Sequence, residues 1–156
     1  MEEKNKIMIQ IKAMLDNVAI VRVAISSFVS TLDITIDELM DIKTAVSEAV
    51  TNAIEHAYTE NNKKNGKDNI VNITAYMYTG EDNLIKIEIE DFGIGIEDIE
   101  TAMIPTYTSK PELEHAGMGF TIMETFMDEV LIDSKKDEGT KITLTKKLKK
   151  KKSKMV

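Results

Sequence analysis

The stretch "IVNITAYMYTGEDNLIKIEIEDFGIG" (residues 70–95) decides the fold class. Its first part, "IVNITAYMY", is rich in β-branched and aromatic residues, and "NLIKIEIED" alternates apolar with charged ones. Both patterns belong to strands, and "TGED" between them reads as a hairpin turn. The second strand runs into Asp91, then Gly93 and Gly95, a D-x-G-x-G sequence. On the N-terminal side lies a polar loop, "TENNKKNGKDN", and before it a long helical segment that ends near Tyr58. Leu39, Ile42, Val46, Val50, Ala53 and Ala57 form the apolar stripe of that helix, and Thr35 or Asp37 can cap its start.

Further upstream, "DNVAIVRVAISSFVSTL" has helical spacing at Val18, Val21, Ile25, Phe28 and Leu32, with Asp16 or Asn17 as its cap. "KIMIQIKAML" alternates as a short strand does. On the C-terminal side, residues 91–116 are irregular, "GFTIMETFMDEV" is helical, and "VLIDSKK" and "TKITLTKKL" close as a hairpin around "DEG". The order is strand, two helices, two strands, a long loop, a helix and two strands. It predicts an α+β fold, a two-layer sandwich with helices packed on one face of a mostly antiparallel mixed sheet. A loop of about 25 residues without structure of its own is uncommon in a compact domain and often serves as a lid or binding loop.

Composition excludes several classes. The 156 residues suit one domain. There are no cysteines, so disulfides, thiolate metal sites and a cysteine nucleophile are excluded, in keeping with a reducing cytoplasm. The acidic N-terminus "MEEKNKIMIQ" has no apolar signal core, and no apolar run approaches a membrane span. Net charge is −7, yet the last eleven residues, "KKLKKKKSKMV", hold seven lysines and no acid, which leaves −14 on the rest. So acidic a body argues against binding of a phosphate backbone by the domain itself. The lysine tail, residues 149–156, is expected to be a disordered solubilising segment outside a single domain of residues 1–148.

Four pieces carry chemistry. In "VSEAVTNAIEHAY" (46–58), Glu48 stands one helical turn before Asn52, so both project from roughly one face. A helical projection puts Glu48 nearly opposite the apolar stripe and Asn52 toward its flank. Ala45, Ala49 and Ala53 are small enough for another group to approach closely. Asp91 at its strand end can accept a hydrogen bond from an exocyclic amine, and Gly93 and Gly95 let backbone approach a flat ligand. In "SKPELEHAGMGFTIM" (109–123), Gly117 and Gly119 precede a helix whose free amides form an anion site, and Lys110 adds positive charge. In "DEGTKITL", Gly139 suits a turn and Thr140 opens a strand. Each piece alone also fits a bland role: a solvated helix face, a tight turn, a helix start, a hairpin. In this order, however, they suit the metal and phosphates, the adenine, a lid, the phosphates again and the base again of one nucleotide.

These motifs resemble the GHKL superfamily of ATP-binding proteins. Within it the chain is similar to the sporulation anti-sigma-F family of serine kinases, from about residue 7 to 148. "IKTAVSEAVTNAIEHAY", "TSKPELEHAGMGFTIMETFMD" and "IDSKKDEGTKITLTK" are the most specific stretches. The resemblance implies that Glu48 is a catalytic base and that Asn52 is the sole protein ligand of Mg²⁺. It implies that Asp91 reads adenine, supported by Gly95 and Thr140 through water, beside Gly93. Gly117, Met118, Gly119 and Phe120 would surround the phosphates, and Thr108, Ser109 and Lys110 would lie in the ATP lid. Arg22 stands where the family contacts its partners. Those would be sigma-F and an anti-anti-sigma protein phosphorylated on serine, with a homodimer as the working state in the cytoplasm.

The sequence departs from the family at His115 and Ala116, where Arg and Ser are common, and at Ala57, where glycine is common. Neither His56 nor His115 lies in a dimerising helix pair of the kind that carries a phosphoacceptor histidine. Three readings stay open: a kinase that is also an anti-sigma factor, of the sporulation or the stress-response type; a module that binds ATP without catalysis; and an ATPase piece of the gyrase or mismatch-repair kind.

Overall fold

A computed structural model describes residues 1–58, 69–96 and 118–149. The polar loop after Tyr58, the long loop through Gly117 and the lysine run from residue 150 lie outside the described residues. The elements are β1 (Glu2–Lys12), a 3-10 turn (Leu15–Asn17), α1 (Val18–Val29), α2 (Ile36–Asn52) with a π-helical extension (Ala53–Ala57), β2 (Ile70–Thr79), β3 (Asn83–Asp91), α3 (Gly119–Phe126), β4 (Glu129–Lys135) and β5 (Gly139–Leu148). The five strands form one sheet in the order β1-β2-β3-β5-β4. All four pairings are antiparallel. The fold is α+β, as the element order predicts.

Strand alternation sorts the sheet into two faces. Val71, Ile73, Ala75 and Met77 of β2, Ile85, Ile87 and Ile89 of β3, and Ile142, Leu144 and Leu148 of β5 are buried. They pack with Val21, Ile25 and Phe28 of α1, Ile42, Val46 and Val50 of α2, and Phe120 and Met123 of α3 in one core. The other face is polar. There Glu88 pairs with Lys141 at 2.9 Å, and Lys86 lies 4.5 Å over the Tyr76 ring. None of the described helices is long and apolar enough to cross a membrane.

Helix starts show which caps hold. Thr35 and Glu38 form a reciprocal capping box at α2, each side chain accepting the other's backbone N–H at 3.0 Å. The second Glu38 oxygen accepts the Lys149 amide at 2.8 Å, tying the chain beyond β5 to the start of α2. Asn17 behaves otherwise. It precedes α1 but makes no side-chain cap bond, because a 3-10 turn has already brought it to helical dihedrals. Its amide donates to the Lys12 carbonyl instead, at 2.9 Å.

Candidate functional site

The site is built on the end of α2. At Asn52 the helix passes from α to π geometry, which continues through Ala57. A single π turn inside a helix is uncommon and recurs at functional sites. It carries the Ala57 carbonyl to the turn after β3, where the Ile94 amide donates to it at 2.9 Å. Tyr58 ends the helix, and its hydroxyl donates to the Ile70 carbonyl at 2.6 Å and accepts the Phe92 amide at 2.8 Å. Burial pushes the Tyr58 phenol up from its ordinary value. One tyrosine thus fixes the helix end, the start of β2 and the turn beyond Asp91.

Asp91 ends β3 on the helix-covered face of the sheet and is 6% exposed. Its Oδ1 accepts the Gly93 amide at 3.0 Å and the Thr140 amide at 3.3 Å. Thr140 is buried beside it, in register across the β3–β5 pair. Desolvation raises the Asp91 pKa to about 6, against the pull of those two amides, and Glu90 adds to the rise. A buried group with so displaced a pKa is a functional candidate.

The displacement carries a stability prediction. An aspartate raised in the folded state holds its proton more tightly there than in the unfolded chain. Stability therefore falls as pH rises from 3.8 to about 6. Above that window the ionised carboxylate costs the fold up to about 3 kcal/mol. Asp91→Asn keeps an Oδ1 for both amides and removes the charge. Thermal unfolding at pH 7 is expected to show the variant about 1–3 kcal/mol more stable, with the pH 4–6 slope flattened. A less stable variant at pH 7 contradicts the assignment.

The glycines of the turn have a cause that spacing alone does not show. A Cβ on Gly93 would stand 2.1 Å from the Ala57 carbonyl oxygen, and Gly95, at φ 75, backs onto the Lys135 carbonyl. Protein backbone, rather than a flat ligand, enforces both. The turn is also strapped to the last hairpin: the Ile96 amide donates to Ser134 Oγ at 2.7 Å, and the Asp137 amide donates to the Ile94 carbonyl at 2.8 Å.

The other end of the site lies where α3 meets α2. Met118, Gly119 and Phe120 open α3, with Met118 as N-cap. The first amides of a helix have no partner within it and favour anions. A Cβ on Gly119 would come 2.6 Å from Asn52 Nδ2 and 3.1 Å from Oδ1. Glycine thus lets the Asn52 amide lie directly against the first turn of α3. Glu48, one turn earlier, is 9% exposed with its Oε2 buried. It is not on a solvated face, because α2 is covered by α1 and α3 as well as by the sheet.

The five residues of the π turn therefore join two points of the candidate site. Gly119 meets Asn52 at one end, and the Asp91–Gly93 turn meets Ala57 at the other, about 7 Å further along the helix. Asp91, Gly93, Gly95 and Thr140 gather at the second point, and Asn52, Met118, Gly119 and Phe120 at the first. Arg22 is exposed on α1. Thr108, Ser109, Lys110, His115, Ala116 and Gly117 lie outside the described residues.

Comparison with known proteins shows the family. Residues 11–146 match the family described as histidine kinase-like ATPase domain. The anti-sigma F factor of Clostridium perfringens is 52% identical over 144 residues, covering 92% of this chain and 97% of its own. That of Bacillus velezensis is 51% identical over 150 residues, covering 96% and 97%. This chain belongs to the anti-sigma F factor family. Its fold is the GHKL fold. The RsbU and RsbW domains of Rv1364c from Mycobacterium tuberculosis superpose with a TM-score of 0.62 at 20% identity, over 93% of this chain and 33% of that one. The histidine kinase domain of the Erythrobacter litoralis EL346 blue-light activated histidine kinase gives 0.54 at 18%, over 88% and 62%. At those identities the likeness concerns the fold alone.

Within this anti-sigma F factor family member, two site residues escape sequence reasoning. Tyr58 and Ser134 act through partners 34 and 38 positions away. No local pattern marks such pairs; only the sheet register and the helix end bring them together.

Proposed function

We propose that this chain is an ATP-dependent protein serine kinase and an anti-sigma factor. It phosphorylates a serine of an anti-anti-sigma protein and, when that antagonist is released, holds the sporulation sigma factor sigma-F. The observation that carries the reading is the one helical segment joining both points of the candidate site, with a buried carboxylate one turn before the first. The names of its half-identical relatives support the regulatory part.

In this reading Asp91 accepts the adenine amine, with Gly95 and Thr140 contributing through water. The amides at the start of α3, together with Gly117, Thr108, Ser109 and Lys110, take the phosphates. The residues present fit Mg²⁺. An amide oxygen is a hard donor, and glycine at position 119 lets the Asn52 amide lie at the start of α3, beside the free amides that favour phosphate. No cluster of three or more acidic, His or Cys side chains among the described residues could hold an ion by itself. Asn52 would hold Mg²⁺ in company with phosphate oxygens and water, and the bound ion neutralises phosphate charge. Glu48 accepts the proton of the incoming serine hydroxyl, directly or through water. Phosphoryl transfer asks the protein chiefly for positioning and charge neutralisation, and these residues provide them. Arg22 contacts the protein partners from the exposed side of α1, and the protein works as a cytoplasmic homodimer.

Mass spectrometry of an anti-anti-sigma protein incubated with this chain and MgATP tests the proposal. One phosphate on a serine is the expected product. An unmodified antagonist, with ATP still bound by this chain, contradicts the kinase assignment.

A further inference from the structure

Ser134 is at the centre of a small hydroxyl network beside the base end of the site. It lies near the end of β4, half-buried, and pairs in register with Thr140 of β5. Its Oγ accepts the Ile96 amide at 2.7 Å and lies 2.8 Å from Thr140 Oγ1 and 3.2 Å from the Gly139 carbonyl oxygen, either of which its one proton can reach. Either hydroxyl can donate in that last pair. The Thr140 amide meanwhile donates to Asp91 Oδ1. The threonine that neighbours the base-reading carboxylate is thus held by Ser134, and Ser134 is held by the root of the long loop.

A hydroxyl has one proton to give. If Ser134 gives its proton to Thr140, the Thr140 proton is free to point into the site. If Ser134 gives its proton to Gly139, Thr140 donates to Ser134 and presents only lone pairs to the site. The two arrangements suit different bases. Adenine carries an amino group next to a ring nitrogen that accepts, so it needs an acceptor beside a donor. Guanine carries a carbonyl next to a ring N–H, the reverse pair. Asp91 supplies the acceptor, and the first arrangement supplies the donor.

We infer that Ser134 is a positioning residue for base selection: it orients the Thr140 hydroxyl as a donor toward the adenine ring nitrogen, directly or through one water. This rests on the nucleotide reading above. Ser134 itself touches no reacting atom. Because the same Oγ holds the Ile96 amide, base recognition and the root of the 97–117 segment share one anchor.

Calorimetric titration of the full chain with ATP, GTP and 1-deaza-ATP, which lacks the accepting ring nitrogen, tests it. Ser134→Ala is expected to weaken ATP binding about 3- to 10-fold, the worth of one ordinary hydrogen bond. Binding of GTP and 1-deaza-ATP is expected to change less than about 2-fold. Ser134→Thr, which keeps the hydroxyl, restores ATP affinity. Ser134→Ala combined with Thr140→Ala is no worse than Thr140→Ala alone, since one acts through the other. If Ser134→Ala loses its cooperative unfolding transition, Ser134→Cys, a weak donor, carries the same comparison. Equal losses for all three nucleotides, unchanged ATP binding, or multiplying losses in the double variant overturn the inference and leave the nucleotide reading intact. Wild-type protein that takes up no ATP overturns both.

Discussion

Glu48→Gln is expected to leave ATP binding within about 3-fold of wild type while serine phosphorylation falls about 10²- to 10⁴-fold, the usual worth of a positioned general base. Glutamine keeps the volume and the hydrogen-bonding shape of the side chain, so the packing of α2 between α1 and α3 is preserved. What disappears is a carboxylate that can take a proton. Glu48 is one turn from Asn52 on the same helix and is buried. It therefore shares with Asn52 the side of α2 that α3 covers, rather than facing bulk water. Single-turnover transfer to an anti-anti-sigma protein, read beside ATP calorimetry, separates the two effects. A variant that transfers phosphate at the wild-type rate removes Glu48 from the mechanism.

Gly93→Ala is expected to cost about 3–5 kcal/mol of stability, which places it among the most damaging single substitutions. The added Cβ would lie 2.1 Å from the Ala57 carbonyl oxygen, 2.5 Å from its carbon and 2.7 Å from the Ala57 Cβ. Two of those atoms are backbone, and the oxygen already accepts the Ile94 amide. Neither the turn nor the π-helical end can retreat without breaking that bond and the Tyr58 bridge. For a chain of this size the melting temperature should drop by about 10–15 °C. Gly80→Ala is the control, because the nearest heavy atom to its Cβ would be a Met1 side-chain carbon at 3.4 Å. Gly119→Ala is the contrast. Its Cβ meets a side-chain amide that can rotate, so Mg²⁺-dependent ATP binding should suffer more than stability. If Gly93→Ala melts as wild type does, the close packing of the turn on Ala57 is wrong.

The contrast between these glycines shows what could be read from the chain alone. The 70–91 hairpin, the α+β order and a helix cap at Thr35 or Asp37 follow from alternation, periodicity and capping preference, all local signals. The grouping of Asp91 with Gly93, Gly95 and Thr140 is implied by the family resemblance rather than by local signals, and the β3–β5 register places Asp91 opposite Thr140. The burial of Glu48 was not legible. A projection onto one apolar stripe assumes that a helix has a single covered side, and α3, which follows the long loop, covers a second. The π turn was hidden for a related reason. "AIEHAY" has ordinary helical composition, and the change of pitch accompanies contacts with residues nearly forty positions later. Gly93 and Gly95 were found by spacing, but their cause is the approach of Ala57 and Lys135, which spacing cannot show.

The central claim is that Asn52 and Asp91 hold opposite ends of one nucleotide, across a single stretch of helix. Titration calorimetry with MgATP on the wild type, Asn52→Ala and Asp91→Asn tests it most directly. The account predicts one ATP per chain for the wild type and at least about a 10-fold loss of affinity in each variant, roughly 1.4 kcal/mol or more. Asp91→Asn should lose that affinity while melting no lower than wild type at pH 7. Wild-type protein without ATP uptake, or either variant binding MgATP as the wild type does, would contradict it.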